Sequence, residues 1–111
     1  MFKLAHAALA VALGVILAPA AAFAAGDAAA TVNPAGEKLY KSACFSCHST
    51  GIANAPKLGN KAAWAPLIAQ GMDTMVEVAM KGKGAMPPRG ASSADDATLR
   101  AAVEYMVLKS Q

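Results

Sequence analysis

Apolar positions along this chain form one long uninterrupted block followed by several short periodic ones. From Leu4 to Leu17 almost every residue is apolar, and no charge follows Lys3 until Asp27. Beyond Val32 the spacing becomes helical. Leu39, Tyr40, Ala43 and Cys44 share one face of a segment that Asn33-Pro34 is suited to open, Asn as the cap and Pro where no N–H is needed. This predicts a helix from Pro34 to about Cys44–Cys47. Ser49–Gly59 reads as a loop, punctuated by Gly51, Pro56 and Gly59. Asn60 can cap a further helix that ends at Gly71, but Pro66 lacks the N–H that would bond back to Ala62. That conflict predicts a turn over Lys61–Ala65 and a short helix opened by Pro66. Thr74-x-x-Glu77 is a capping box for a helix reaching about Lys81. Gly82–Ser92 is a Gly/Pro loop. Ser93-x-x-Asp96 is expected to cap a last helix running to about Lys109, with Leu99, Ala102, Val103 and Met106 as its apolar stripe. No strand pattern or internal repeat stands out. The expected fold is all-α, with four to five short helices.

Composition sharpens this into two objects. The chain has 111 residues, a formal charge of +3 and 56% apolar residues. Lys3, the apolar run to Leu17, Pro19 and the small residues of Ala22-Phe23-Ala24 together form the pattern of a secretory signal peptide. Cleavage near Ala24–Ala25 is expected, although the uncharged run is long enough by count to serve as a retained anchor. The expected division is a leader over 1–24, a flexible lead over 25–32 and one domain over 33–111, with a periplasmic location and no stable membrane insertion after cleavage. Without the leader, the charge is +2 and four aromatics remain, Tyr40, Phe45, Trp64 and Tyr105. So small a chain has little to bury, and something must supplement its core. The same numbers exclude a multidomain enzyme, a long coiled coil and a disulfide-dense toxin. They also exclude strong attraction to nucleic acid, since no basic run exceeds two residues.

The chemistry lies in Cys44-Phe45-Ser46-Cys47-His48, a C-x-x-C-H attachment pattern for c-type haem. Two cysteines three apart on a helix place both sulfurs along one edge of a porphyrin, where its vinyl groups lie, and His48 can bring a ring nitrogen under the iron. Three rival readings compete. A thioredoxin-like dithiol requires a βαβ pattern that is not present. A zinc site requires four ligands, and the chain after the leader has two Cys and one His. A Cys44–Cys47 disulfide closes a very small loop. For the sixth ligand the candidates are Met72, Met75, Met80, Met86 and Met106, with Lys81 or Lys83 as nitrogen donors. Most of these methionines lie at helical spacing, where Met fills core. Met86 stands in a loop and is pushed toward an extended conformation by Pro87, and a thioether suits a cytochrome iron.

Over residues 33–109 the chain resembles a small class I c-type cytochrome, and within that class the bacterial cytochrome c5 type. The resemblance is carried by Gly36-Glu-Lys-Leu-Tyr40, Cys44–His48, Ala55-Pro56-Lys-Leu-Gly59, Lys61-Ala-Ala-Trp64-Ala-Pro66, Gly71-Met-Asp-Thr-Met75, Ala85-Met86-Pro87-Pro88-Arg-Gly90 and Ala102-Val-Glu-Tyr105-Met106. It implies that the helices wrap one covalent haem c, bound through Cys44 and Cys47, with His48 and Met86 as axial ligands. It further implies that the Pro56 carbonyl orients the His48 ring. Gly36 and Tyr105 match the close crossing of first and last helices. Trp64 either contacts the haem, by packing or through a propionate, or fills core. The chain departs from the c5 pattern at Gly90-Ala-Ser-Ser-Ala94: that type often has a second cysteine pair between the methionine loop and the last helix, and this stretch has no Cys.

With both axial positions filled, the expected function is one-electron transfer by a soluble carrier and not catalysis at the iron. Its expected partners are redox proteins, namely a membrane-bound donor complex and a terminal oxidase or reductase, with no nucleic acid involved. The alternatives are a haem relay fixed within a larger periplasmic redox enzyme, and a gas-binding haem protein. Lys57, Lys61, Lys81, Lys83 and Arg89, opposed by Asp73 and Glu77, form either a docking patch or a merely solvated face.

Overall fold

The structure is a computed structural model that describes Gly14 and residues 31–111. The predicted leader, Gly14 apart, and most of the lead therefore lie outside the described residues. Among the described residues five α-helices follow one another: α1 (Pro34–Leu39), α2 (Phe45–His48), α3 (Lys61–Ala69), α4 (Met72–Lys81) and α5 (Asp96–Leu108). Among the described residues there is no strand, only an isolated antiparallel bridge between Lys83 and Met86.

The first helix begins as its sequence dictates. Asn33 Oδ1 accepts from the Ala35 N–H at 3.0 Å, and Pro34 occupies the first turn. It does not continue as a regular α-helix into the cysteines. Tyr40–Cys44 form one π-turn, closed by the Phe45 N–H donating to the Tyr40 carbonyl, before α2 resumes. A π-turn inserts one residue into a helix, is rare, and is frequently found at functional sites. Here it directly precedes the Cys/His segment. Gly51, at φ +78°, ends the run and donates its N–H to the Cys47 carbonyl at 2.8 Å.

The structure corrects three expected boundaries. Lys61–Ala69 is one helix with Pro66 inside it, where a separate turn and short helix were expected. Ala62 and Pro66 both lie on its exposed side, so water can satisfy the carbonyl that Pro66 leaves without a donor. Asn60 caps this helix by accepting from the Ala63 N–H at 3.2 Å. The Thr74-x-x-Glu77 box is not used: α4 starts at Met72, with Gly71 (φ +95°) at its cap position. Starting earlier packs Met72 against the core and puts Asp73 in the first turn, where the helix dipole favours an anion. The last helix is capped by Asp95, which accepts from the Thr98 N–H at 2.8 Å, and not by Ser93.

Most of α5 is buried. Its expected stripe of Leu99, Ala102, Val103 and Met106 is joined by Ala101, Tyr105 and Val107. It crosses α1 at Gly36, where the chains approach so closely that a Cβ would lie 2.2 Å from the Ala101 carbonyl oxygen. One turn further on, the Tyr40 and Tyr105 rings pack with centroids 5.1 Å apart. Leu39, Cys44, Trp64, Met75, Val76 and Ala79 complete the core around this crossing.

Candidate functional site

Four stretches meet around the π-turn and α2. The π-turn and α2 supply Cys44, Cys47 and His48. Cys44 is buried, Cys47 half-buried, and both thiols are free. Burial pushes the Cys44 thiol above its ordinary value, and the nearby Cys47 adds to the shift. A thiol held protonated is a poor nucleophile, which disfavours the thioredoxin-like reading. Among the described residues no group of three or more His, Cys, Asp or Glu is placed to hold a metal ion, so the zinc reading finds no site there.

His48 is also buried, and its Nδ1 lies 2.8 Å from the Pro56 carbonyl oxygen. A carbonyl only accepts, so Nδ1 carries a proton, and Nε2 is the ring nitrogen left for another partner. The loop that presents Pro56 is tied to the same residue a second time, since the Leu58 N–H donates to the His48 carbonyl at 2.7 Å. Trp64 is buried with its ring centroid 6.0 Å from that of His48. Its Nε1–H donates to the Lys57 carbonyl at 3.0 Å, which commits the indole proton to the backbone and leaves a propionate without it.

Met86 is half-buried and packs on the same core cluster as Cys44 and Trp64. The tight turn Lys83–Met86 presents it, closed by reciprocal backbone hydrogen bonds of 3.0 Å. Pro87 is extended, and Arg89, Gly90 and Ala91 then take left-handed conformations with φ between +57° and +59°. For Arg89 and Ala91 such geometry costs on the order of 1 kcal/mol each. Arg89 offsets it by donating to the Ala94 carbonyl at 2.9 Å and pairing with Asp96. Gly90 fits against α1's continuation: a Cβ there would meet the Ala43 carbonyl oxygen at 3.1 Å. The methionine loop is thereby seated on the π-turn that leads into the cysteines. The remaining methionines behave as filler, Met75 and Met106 buried, Met72 and Met80 partly so.

These residues fit a covalent haem. Two free thiols stand three positions apart, an imidazole has one nitrogen engaged and the other available, and a thioether is offered from a loop fixed on the same core. Sequence reading did not find the π-turn, the role of Gly90 or the buried Ser110. The first two carry no local signal, because a π-turn and a backbone contact across 47 positions depend on packing.

The basic patch is partly neutralised. Lys81 pairs with Glu77, Arg89 with Asp96, and Asp73 with Arg100 at 2.8 Å. Lys57, Lys61 and Lys83 form no ion pair among the described residues. Phe45 and Ile52 are exposed large apolar side chains, each 54% accessible.

Comparison with known proteins agrees with this chemistry. A family model described as cytochrome C oxidase, cbb3-type, subunit III, matches residues 31–106. The chain is 46% identical to cytochrome c-555 of Chlorobaculum tepidum, over 86% of this chain and 93% of the relative. It is 36% identical to cytochrome c5 of Azotobacter vinelandii, over 64% of this chain and 89% of the relative. Among solved structures, it matches a chain in the crystal structure of an electron transfer complex of nitrite reductase with cytochrome c. That match has 62% identity and a TM-score of 0.71, and covers 73% of this chain and 100% of the other.

Proposed function

The chain belongs to the class I monohaem c-type cytochromes, electron-transfer proteins with one covalent haem c, and from that premise we propose that it is an exported, diffusing carrier. In this reading residues 1–24 are a cleaved leader, 25–32 a lead and 33–111 the haem domain, which works in the periplasm. It takes an electron from a membrane-bound donor complex and passes it to a terminal oxidase or reductase.

Bound haem supplies a one-electron Fe(III)/Fe(II) couple. Cys44 and Cys47 hold it through thioether links. His48 would offer Nε2 to the iron, and the Pro56 carbonyl, bonded to Nδ1, would orient its ring. Met86 would offer its thioether to the same iron, and a His/Met ligand pair would raise the potential. Trp64 contributes apolar packing beside His48. With an imidazole and a thioether both held for the iron, the protein would move electrons and not bind substrate there. The observation that carries the proposal is the His48 Nδ1–Pro56 contact beside two free cysteines.

The likeness to a chain from a nitrite reductase–cytochrome c complex supports a reductase as acceptor. Lys57, Lys61 and Lys83, without ion-pair partners among the described residues, can steer encounter with an acidic partner surface. Such steering weakens with ionic strength. Among the described residues no helix is long and apolar enough to cross a membrane. Cell fractionation, with a reduced-minus-oxidised spectrum and carbon monoxide challenge on the exported protein, tests the proposal. A periplasmic, low-spin haem c that does not bind carbon monoxide is expected. A carbon monoxide adduct at neutral pH, or copurification with a larger enzyme at high salt, overturns the carrier reading.

A further inference from the structure

Among the described residues, two polar side chains are buried, His48 at 7% exposure and Ser110 at 1%. They grip opposite ends of one four-residue strap, Pro56–Gly59. At its start the Pro56 carbonyl lies 2.8 Å from His48 Nδ1. At its end the Gly59 N–H donates to Ser110 Oγ at 2.9 Å, across 51 positions of sequence. Between them the Lys57 carbonyl accepts from Trp64 Nε1 at 3.0 Å, and the Leu58 N–H donates to the His48 carbonyl at 2.7 Å. Each strap residue thus has a fixed partner. Gly59 adopts φ +85°, a conformation in which other residues are strained, so the strap can present its last N–H to Ser110 and then turn toward α3.

Ser110 lies just past Lys109, the C-cap of α5, and α5 is wedged against α1 where Gly36 meets Ala101. The continuous helical run from α1 leads to His48. The last helix therefore braces His48 twice, through its packing on α1 and through the strap.

The geometry points to Ser110 as a positioning residue for the His48 imidazole, acting through Gly59 and the Pro56 carbonyl. This inference rests on the reading of His48 as an axial ligand. Removing the hydroxyl releases the Gly59 N–H to water, the strap gains freedom, and the Pro56–His48 hydrogen bond opens more often. An imidazole with a weaker acceptor at Nδ1 is a poorer donor to ferric iron, so the potential rises.

The test uses NMR and potentiometry on the reduced holoprotein. In the wild type, His48 ring resonances displaced by the haem ring current identify it as the ligand. Their absence overturns the ligand reading and this inference with it. Ser110→Ala is expected to speed exchange of the His48 Nδ1 proton about five- to tenfold, the change one net hydrogen bond makes in an opening equilibrium. It is also expected to raise the midpoint potential. Ser110→Thr restores both readouts. Ser110→Cys, similar in volume but a weaker acceptor, gives intermediate values even if the alanine variant folds poorly. Displaced His48 resonances with wild-type exchange and potential in the Ala and Cys variants, whatever the loss of thermal stability, overturn the positioning role alone.

Discussion

Gly36 and Ala101 touch backbone to backbone: a Cβ on Gly36 would lie 2.2 Å from the Ala101 carbonyl oxygen and 2.4 Å from its carbonyl carbon. Neither atom can move without shifting α5, because they belong to a helix buried along most of its length. Gly36→Ala is therefore expected to destabilise the holoprotein by about 3 kcal/mol, although alanine is the better helix former. Denaturant unfolding checks this. An unchanged or raised midpoint would show that the helices separate at little cost.

Met86 is expected to be the sixth ligand. Met86→Ala should open that site, admit carbon monoxide to the reduced protein and lower the potential, leaving covalent haem in place. Optical spectra and a redox titration decide it; a wild-type spectrum and potential would assign the ligand elsewhere.

Attachment through both cysteines predicts that Cys44→Ala or Cys47→Ala loses most of the covalently loaded protein in cells that make cytochromes c. Haem staining of denaturing gels measures the yield. Normal yield from either variant would remove that cysteine from the attachment site.

Asp95 gives a pH signature. Its carboxyl is held below the ordinary value of 3.8, chiefly by hydrogen bonds from the Thr98 side chain and backbone, with a smaller contribution from Arg89. A lowered folded value means that the ionised cap stabilises the fold fully above the ordinary value. That contribution is lost as pH falls through the folded one. Asp95→Asn keeps an acceptor without this titration. The stability advantage of the wild type over Asp95→Asn should therefore shrink as pH drops below about 4, followed by thermal melts across pH. A difference that stays constant from neutral to strongly acid pH would contradict it.

Removal of the cofactor is expected to unfold the domain. Its helices are too short to persist alone in water, and four aromatics over residues 25–111 are a thin core. Haem-free protein lacking both cysteines should show low helicity and no cooperative melt. A sharp thermal transition would mean that the polypeptide core suffices.

Several features were legible in the residues alone because they depend on neighbours a few positions away. Asn33-Pro34 opens α1 since cap and first turn need only local geometry. The period of Leu99, Ala102, Val103 and Met106 marks the buried stripe of α5. Cys44-x-x-Cys47-His48 specifies the cofactor chemistry, because thiol spacing and an adjacent imidazole are themselves the requirement. Other features were ambiguous locally. Ser93 and Asp95 are both competent caps, and Asp95 caps a segment that Arg89 anchors through Ala94 and Asp96. Pro66 argues against a helix unless its face is wet, and only the packed structure shows that it is.

The sequence by itself thus determined an all-α domain, the start of its first helix and a C-x-x-C-H pattern suited to a haem. Tertiary structure alone decided the π-turn at Tyr40–Cys44, the seat of the methionine loop against Ala43, the engagement of Trp64 Nε1 by Lys57 and the tie from Ser110 to Gly59. The physical reason is distance along the chain. Caps and periodicity are settled within one or two turns, whereas these contacts join segments that meet only after burial has selected which helix faces pack together.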